Sequence, residues 1–328
     1  MKNPEEFHLA FSEILAGYSP TSDKVFGEIF VKHFSHFESL KTERQYKISL
    51  IEAKSKGLPT ATERKKTILT EGGWTKKEEE LVDDTTKFII GIRERISKEF
   101  LLSKRKMLRR EVFDAEKRLD ALFMKRDYLM GLTAEKYANR QSIYHQITNS
   151  FYKNESLSER LSELDDEETY GRLSEIYYEY KKRISIDTIK NIAISSFFNS
   201  LFNMCGDNAY FFYGKPIIQL TTHQTELFNY GKFFKNQMSQ YGDKVPESMT
   251  ESADDMLEFF EITKNVENSG ILKDNGTEIG STSIVGATKE DMKLMGIDQS
   301  MIRNLGDDIA KSGKTMLTKE DLMKMRGV

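Results

Sequence analysis

The sequence predicts a mainly α-helical protein with three parts: a long helical arm, an aromatic-rich helical domain and a flexible polar tail. A small β-hairpin near the N-terminus is the one ambiguous addition. Three observations carry this reading. From Trp74 to Met130 there is no proline and only one glycine, Gly91, so nothing in that stretch interrupts a helix. Eleven aromatic residues fall between positions 197 and 234, so any sizeable core must include that segment. Between Asn268 and Gly286 the chain is rich in Gly, Ser, Thr and Asn, which is linker composition. These shifts suggest an N-terminal small domain (1–73), an arm (74–152), a C-terminal helical domain (153–267) and a tail (268–328).

Composition narrows the function classes. Charged residues make up 31% and hydrophobic residues 38% of 328, as in charge-rich helical proteins. The net charge of −3 argues against a dedicated nucleic-acid binder, which usually carries a clear basic excess. A single cysteine, Cys205, forms no internal disulfide, and a reducing compartment is expected. The opening MKNPEEFHLAFSEILAG is amphipathic rather than leader-like, and no apolar run is long enough to predict a membrane span.

Taken in order, residues 3–16 read as a helix with Asn3 as N-cap and Pro4 in the first turn, stopped by Gly17. DKVFGEIFVKHFSHF fits both alternation and a helical face, and is read as a strand pair. His33 and His36 lie three apart there, but with no carboxylate or cysteine at ligand spacing the structural reading is preferred to a metal site. Helices follow over about 42–56 and 61–72, stopped by Gly57 and by Gly72-Gly73. Thr75 and Glu78 form a capping box after Trp74.

In the arm, Leu101, Arg105, Leu108, Val112, Ala115, Leu119, Leu122, Arg126 and Leu129 alternate spacings of four and three. That is a coiled-coil seam with arginine at two inner positions. Val82, Ile89, Ile92 and Ile96 follow another register, so the arm is either one rod or a hairpin broken near Phe100. Thr133 caps a helix reaching about Tyr152. Asp165 and Glu168 open another, with Leu173, Ile176, Tyr177 and Tyr180 as its buried stripe. Asp187 caps a helix that ends at Cys205-Gly206, and YFFYGKPIIQL is a strand or turn because Gly214 and Pro216 interrupt it. Thr221 and Gln224 form a second capping box, followed by a helix with Leu227, Tyr230, Phe234 and Met238 on one face. Ser252 caps a helix in an acidic stretch.

No chemical signature emerges. Ser312-Gly-Lys-Thr315 lacks the glycine that a phosphate loop needs, since Asp308 stands in its place. Cys205 and His223 are a conceivable catalytic pair, but an apolar neighbourhood favours a packed, inert thiol. No catalytic residue, metal ligand or cofactor is assigned. KRKMLRR brings together Lys104, Arg105, Lys106, Arg109 and Arg110. It is either a phosphate-contacting patch or, preferably, the solvated flank of a coiled coil balanced by the acids of 158–168. The tail repeats Thr-Lys-Glu-Asp thirty positions apart, at Thr288–Asp291 and Thr318–Asp321. One reading is coincidence. The other is a pair of docking helices capped by Thr288 and Thr318, placing Met292, Met295, Leu322 and Met325 in a partner's groove.

Together, KHFSHFESL (32–40), AKSKGLP (53–59), EGGWTKKEEE (71–80), YFFYGKPIIQLTTHQTELFNYGKFF (210–234) and SIVGATKEDMKLMG (283–296) give a pattern over most of the chain. It resembles virion and tail-assembly proteins of large contractile-tailed bacteriophages. The resemblance implies a non-enzymatic role in tail or baseplate assembly, as chaperone or structural component. It further implies phage structural or assembly proteins as partners, and the host cytoplasm or the virion as location. It brings no catalytic residue. The alternative is a phage nucleic-acid-binding or transcription-modulating protein using residues 104–110.

Overall fold

The computed structural model describes residues 4–161, 166–268 and 287–294. The described residues are mainly helical, with one small sheet among them. Helix α1 (Pro4–Ala16) ends at Gly17, whose φ of +82° suits the left-handed region. β1 (Tyr18–Asp23) and β2 (Gly27–Lys32) form an antiparallel hairpin, and β3 (Phe151–Tyr152) pairs with the other side of β2. Asp23 Oδ1 accepts the amides of Val25 and Phe26 and so closes the turn. The hairpin therefore starts upstream of the stretch read as a strand pair. Its first strand is YSPTSD, where Pro20 is tolerated because β1 is an edge strand.

The residues after Lys32 leave the sheet because Ser35 and Glu38 form a capping box, which starts α2 (His36–Ser55) earlier than expected. α3 (Ala61–Thr70) carries the same device in Thr60 and Glu63, and α4 (Lys76–Lys98) in Thr75 and Glu78. α5 (Leu102–Met130) runs back along α4 as an antiparallel hairpin, with Arg93 paired to Glu116 and Arg126 to Glu79. Of the two arm geometries, the chain adopts the hairpin. Its seam follows the spacing: Leu108, Val112, Ala115 and Leu119 are buried against Val82, Ile89 and Ile92, while Arg105, also buried, lies beyond them at the bend. Trp74, fully buried, plugs the far end of the hairpin, and its indole N–H donates to Glu79 at 2.9 Å.

α6 (Ala134–Thr148), capped by Thr133, stops short of Tyr152, which belongs to β3. α7 (Glu167–Arg183) starts at Asp166 and buries Leu173, Tyr177 and Tyr180. The helix expected to run on to Cys205 is two helices, α8 (Ile186–Ile194) and α9 (Ser196–Phe202). Ser185 rather than Asp187 caps α8. The break falls at Ser195, whose hydroxyl donates to Ile192 O, while Asn199 Nδ2 donates to Ile194 O. These side chains satisfy carbonyls that the interrupted ladder leaves open. YFFYGKPIIQL is neither strand nor simple turn: α10 (Ala209–Tyr213) ends at Gly214, and a 3-10 turn spans Ile217–Gln219. α11 (Thr222–Tyr241), α12 (Ala253–Asn268) and α13 (Lys289–Leu294) complete the described chain.

The main core joins α1, β2 and β3 to α7–α12, so it runs across the sequence-derived boundaries at 73 and 152. Phe198 and Phe202 stack at 5.1 Å, and Gly231 on α11 admits them: a Cβ there would lie 2.7 Å from the Phe198 ring. A separate cluster fills the arm, and a third, small one lies at the arm's elbow between α5, α12 and the segment before α13.

Candidate functional site

The elbow is where the chain concentrates buried charge. α4 ends and α5 begins within three residues, leaving C-terminal carbonyls and N-terminal amides of two helices side by side. Glu99 Oε1 accepts the amides of Phe100 and Leu101. The carbonyls are met by Arg105, fully buried, which donates to Ile96 O at 2.9 Å and Glu99 O at 3.1 Å. Asn265 on α12 donates to Ser97 O at 2.8 Å. The rest of the Arg105 fork reaches α12, with Nε to Glu258 Oε1 at 3.2 Å and Nη2 to Glu261. Arg109 also pairs with Glu258, at 2.8 Å. A planar guanidinium with five donors suits this mix of carbonyls and carboxylates, which lysine would not satisfy.

α5 has no side-chain cap of its own at Leu101. Asp291 supplies one from 188 residues away: its carboxylate accepts Ser103 N–H at 2.9 Å and Ser103 Oγ–H at 2.6 Å. The same carboxylate accepts Thr288 N–H and Oγ–H, and Thr288 Oγ accepts Asp291 N–H. The Thr288–Asp291 capping box is thus closed on itself and docked on the start of α5. Asp291 is 1% exposed. Burial alone pushes its carboxyl upward, but the Ser103 hydroxyl and the Thr288 and Ser103 amides outweigh that and hold it below the ordinary carboxylate value. Met292 adds an apolar contact to Leu101, Leu102, Ile262 and Val266.

This geometry revises two readings. Arg105 is turned into the elbow and cannot contact phosphate; the acids balancing it and Arg109 are Glu258 and Glu261 on α12, not those of 158–168. Lys104 is half-buried, while Lys106 and Arg110 are exposed. Asp291 and Met292 pack on their own chain instead of facing a partner. Met295, Thr318, Asp321, Leu322 and Met325, and the Ser312–Thr315 stretch, lie outside the described residues.

A second polar cluster lies in the main core. Ser19 Oγ donates to Glu13 Oε2 at 2.5 Å and therefore accepts from His33 Nε2 at 2.9 Å, leaving His33 Nδ1 unprotonated. Arg183 pairs with Glu13, His33 stacks on Tyr180, and Tyr180 Oη meets His223 Nε2 at 2.8 Å. Burial, then the neighbouring His223, Lys181 and Arg183, hold the His33 imidazole well below its ordinary value. Ser19 is fully buried and shares its hydroxyl between Glu13 and His33. His36 turns away to Thr225, and Cys205 Sγ donates to Phe202 O, so neither His33 with His36 nor Cys205 with His223 acts as a pair. Among the described residues, no group of His, Cys, Asp and Glu is placed to hold a metal, and no helix is long and apolar enough to cross a membrane.

No protein-family model, curated protein or solved structure matches the chain.

Proposed function

We propose that the chain is a non-enzymatic protein-binding factor of phage tail or baseplate assembly, acting as assembly chaperone or structural component on other phage structural proteins. The phage setting rests on the sequence resemblance. The binding role is supported most by the apolar surface of residues 204–218. Gly206 and Gly214, both at positive φ, bracket a short stretch in which Phe212 packs inward. Met204, Phe211, Ile217 and Ile218 stay outside, with Met204 84% and Phe211 74% exposed. Large side chains concentrated in so short a stretch are costly in water unless a partner covers them. The arm adds Phe88, Ile90, Phe113 and Met124 on the faces not used by its seam.

The test is complementation. Phage lacking the gene should yield unfinished tails. Full-length protein carrying Phe211→Ser and Ile217→Ser should fold normally yet fail to restore them. Normal tails without the gene would refute the reading. Mass spectrometry of purified particles beside lysate then separates the two roles: stoichiometric presence marks a structural part, and presence in lysate alone a chaperone.

A further inference from the structure

The elbow holds Thr288–Met292, and the chain carries the sequence Thr-Lys-Glu-Asp twice. Its requirements can be read from the first copy. Two donors on Ser103 need a carboxylate three residues after a threonine that closes a capping box with it. The apolar lining of Leu101, Leu102, Ile262 and Val266 receives the side chain directly after that carboxylate, Met292. The first copy meets these with Thr288, Asp291 and Met292. The second reads Thr318-Lys-Glu-Asp321-Leu322, which keeps the threonine and aspartate and replaces methionine by leucine, a volume-conserving exchange.

We propose that the elbow is a receptor for Thr-x-x-Asp-Met/Leu segments and that Thr318–Met325 of the same chain is its second occupant, exchanging with the first. Chain length permits this. Val266, near the end of α12, lines the elbow, and Thr318 follows α12 by about 50 residues, able to reach on the order of 160 Å when extended. Both segments are tethered to the site they compete for, so each meets it at high effective concentration, and occupancy is set by their small difference in fit. Exchange would free the first segment for other contacts without leaving Ser103 uncapped. The inference does not depend on the phage assignment.

Cross-linking in the full chain tests it. Lys106 is exposed and lies one turn after Ser103, while Cys205 is buried. A short thiol-specific linker between Lys106→Cys and Lys319→Cys reports the second segment, and one between Lys106→Cys and Lys289→Cys reports the first. The expected result is a measurable 106–319 product that rises several-fold with Asp291→Ala and falls to background with Asp321→Ala. A synthetic peptide of residues 316–327 added to the otherwise unaltered chain should lower the 106–289 product. The same peptide with alanine in place of its threonine and aspartate should not. A 106–319 yield indifferent to both aspartates, or a peptide without effect, would overturn the proposal. The peptide arm does not depend on whether any aspartate variant folds.

Discussion

Arg105 on α5 and Glu258 on α12 form an ion pair with 1% and 7% side-chain exposure, 153 residues apart in the chain. Arg105 also closes the carbonyl end of α4, so one side chain fixes the bend of the arm and ties it to α12. Removing it should therefore cost more than a surface ion pair would. Arg105→Met leaves the Ile96 and Glu99 carbonyls without this donor, with Glu258 held only by Arg109. The expected loss is about 3–5 kcal/mol in urea unfolding. Arg105→Met combined with Glu258→Leu should recover part of it. A single-variant loss below ~1 kcal/mol would mean the pair is no more than a surface contact.

Gly231 is required by space and not by backbone freedom. Helix propensity alone would make Gly231→Ala stabilising by up to ~1 kcal/mol. The new Cβ, however, would meet the Phe198 ring at 2.7 Å and Phe202 at 3.2 Å. Net destabilisation of about 1–3 kcal/mol is expected. A stabilised variant would show that the aromatic stack can shift aside.

The His33 cluster predicts an acid-sensitive core. In the folded chain His33 stays neutral well below its ordinary value of 6.5, whereas the unfolded chain takes up the proton near 6.5. The unfolded state then binds more protons, so stability is fully present above about pH 6.5 and falls as pH drops toward the depressed folded value. Glu13, Lys181, Arg183, Tyr180 and His223 face this group and remain in place in His33→Gln, which should flatten the decline between pH 7 and 5. An unchanged slope in that variant would assign the acid sensitivity elsewhere.

Trp74 gives the arm its own probe. Fully buried and bonded to Glu79, it should emit at short wavelength in the native chain. Glu79→Ala removes that acceptor, together with ion pairs to Lys65 and Arg126. It should shift the emission to the red while the far-UV circular dichroism of the whole chain changes little. Unchanged emission would show that Trp74 is held by packing alone.

Local patterns were legible in the sequence where one stretch carries the whole signal. The 4/3 spacing of Leu108, Val112, Ala115 and Leu119 gave the arm seam, and Thr75 with Glu78 gave the start of α4. Two local signals were outweighed. Alternation across 23–37 masked the Ser35–Glu38 capping box, and the apolar run through Ser195 hid a break at which side-chain bonds meet the open carbonyls. The elbow was not legible. Arg105 at an inner seam position hinted at a buried acceptor, but nothing local pointed to Glu258, or joined Asp291 to Ser103 across 188 residues. Such pairings join helices far apart in the chain, α5 with α12 and α5 with α13, which periodicity does not encode.

At the elbow, Asp291 caps the start of α5 from 188 residues away. Amide hydrogen exchange at Ser103 tests it most directly, comparing the unaltered chain with one in which Asp291 and Asp321 are both alanine. The account predicts Ser103 exchange at least ten-fold faster in the double variant, with amides of α4 around Ile89 unchanged. Equal Ser103 protection in the two proteins would contradict it.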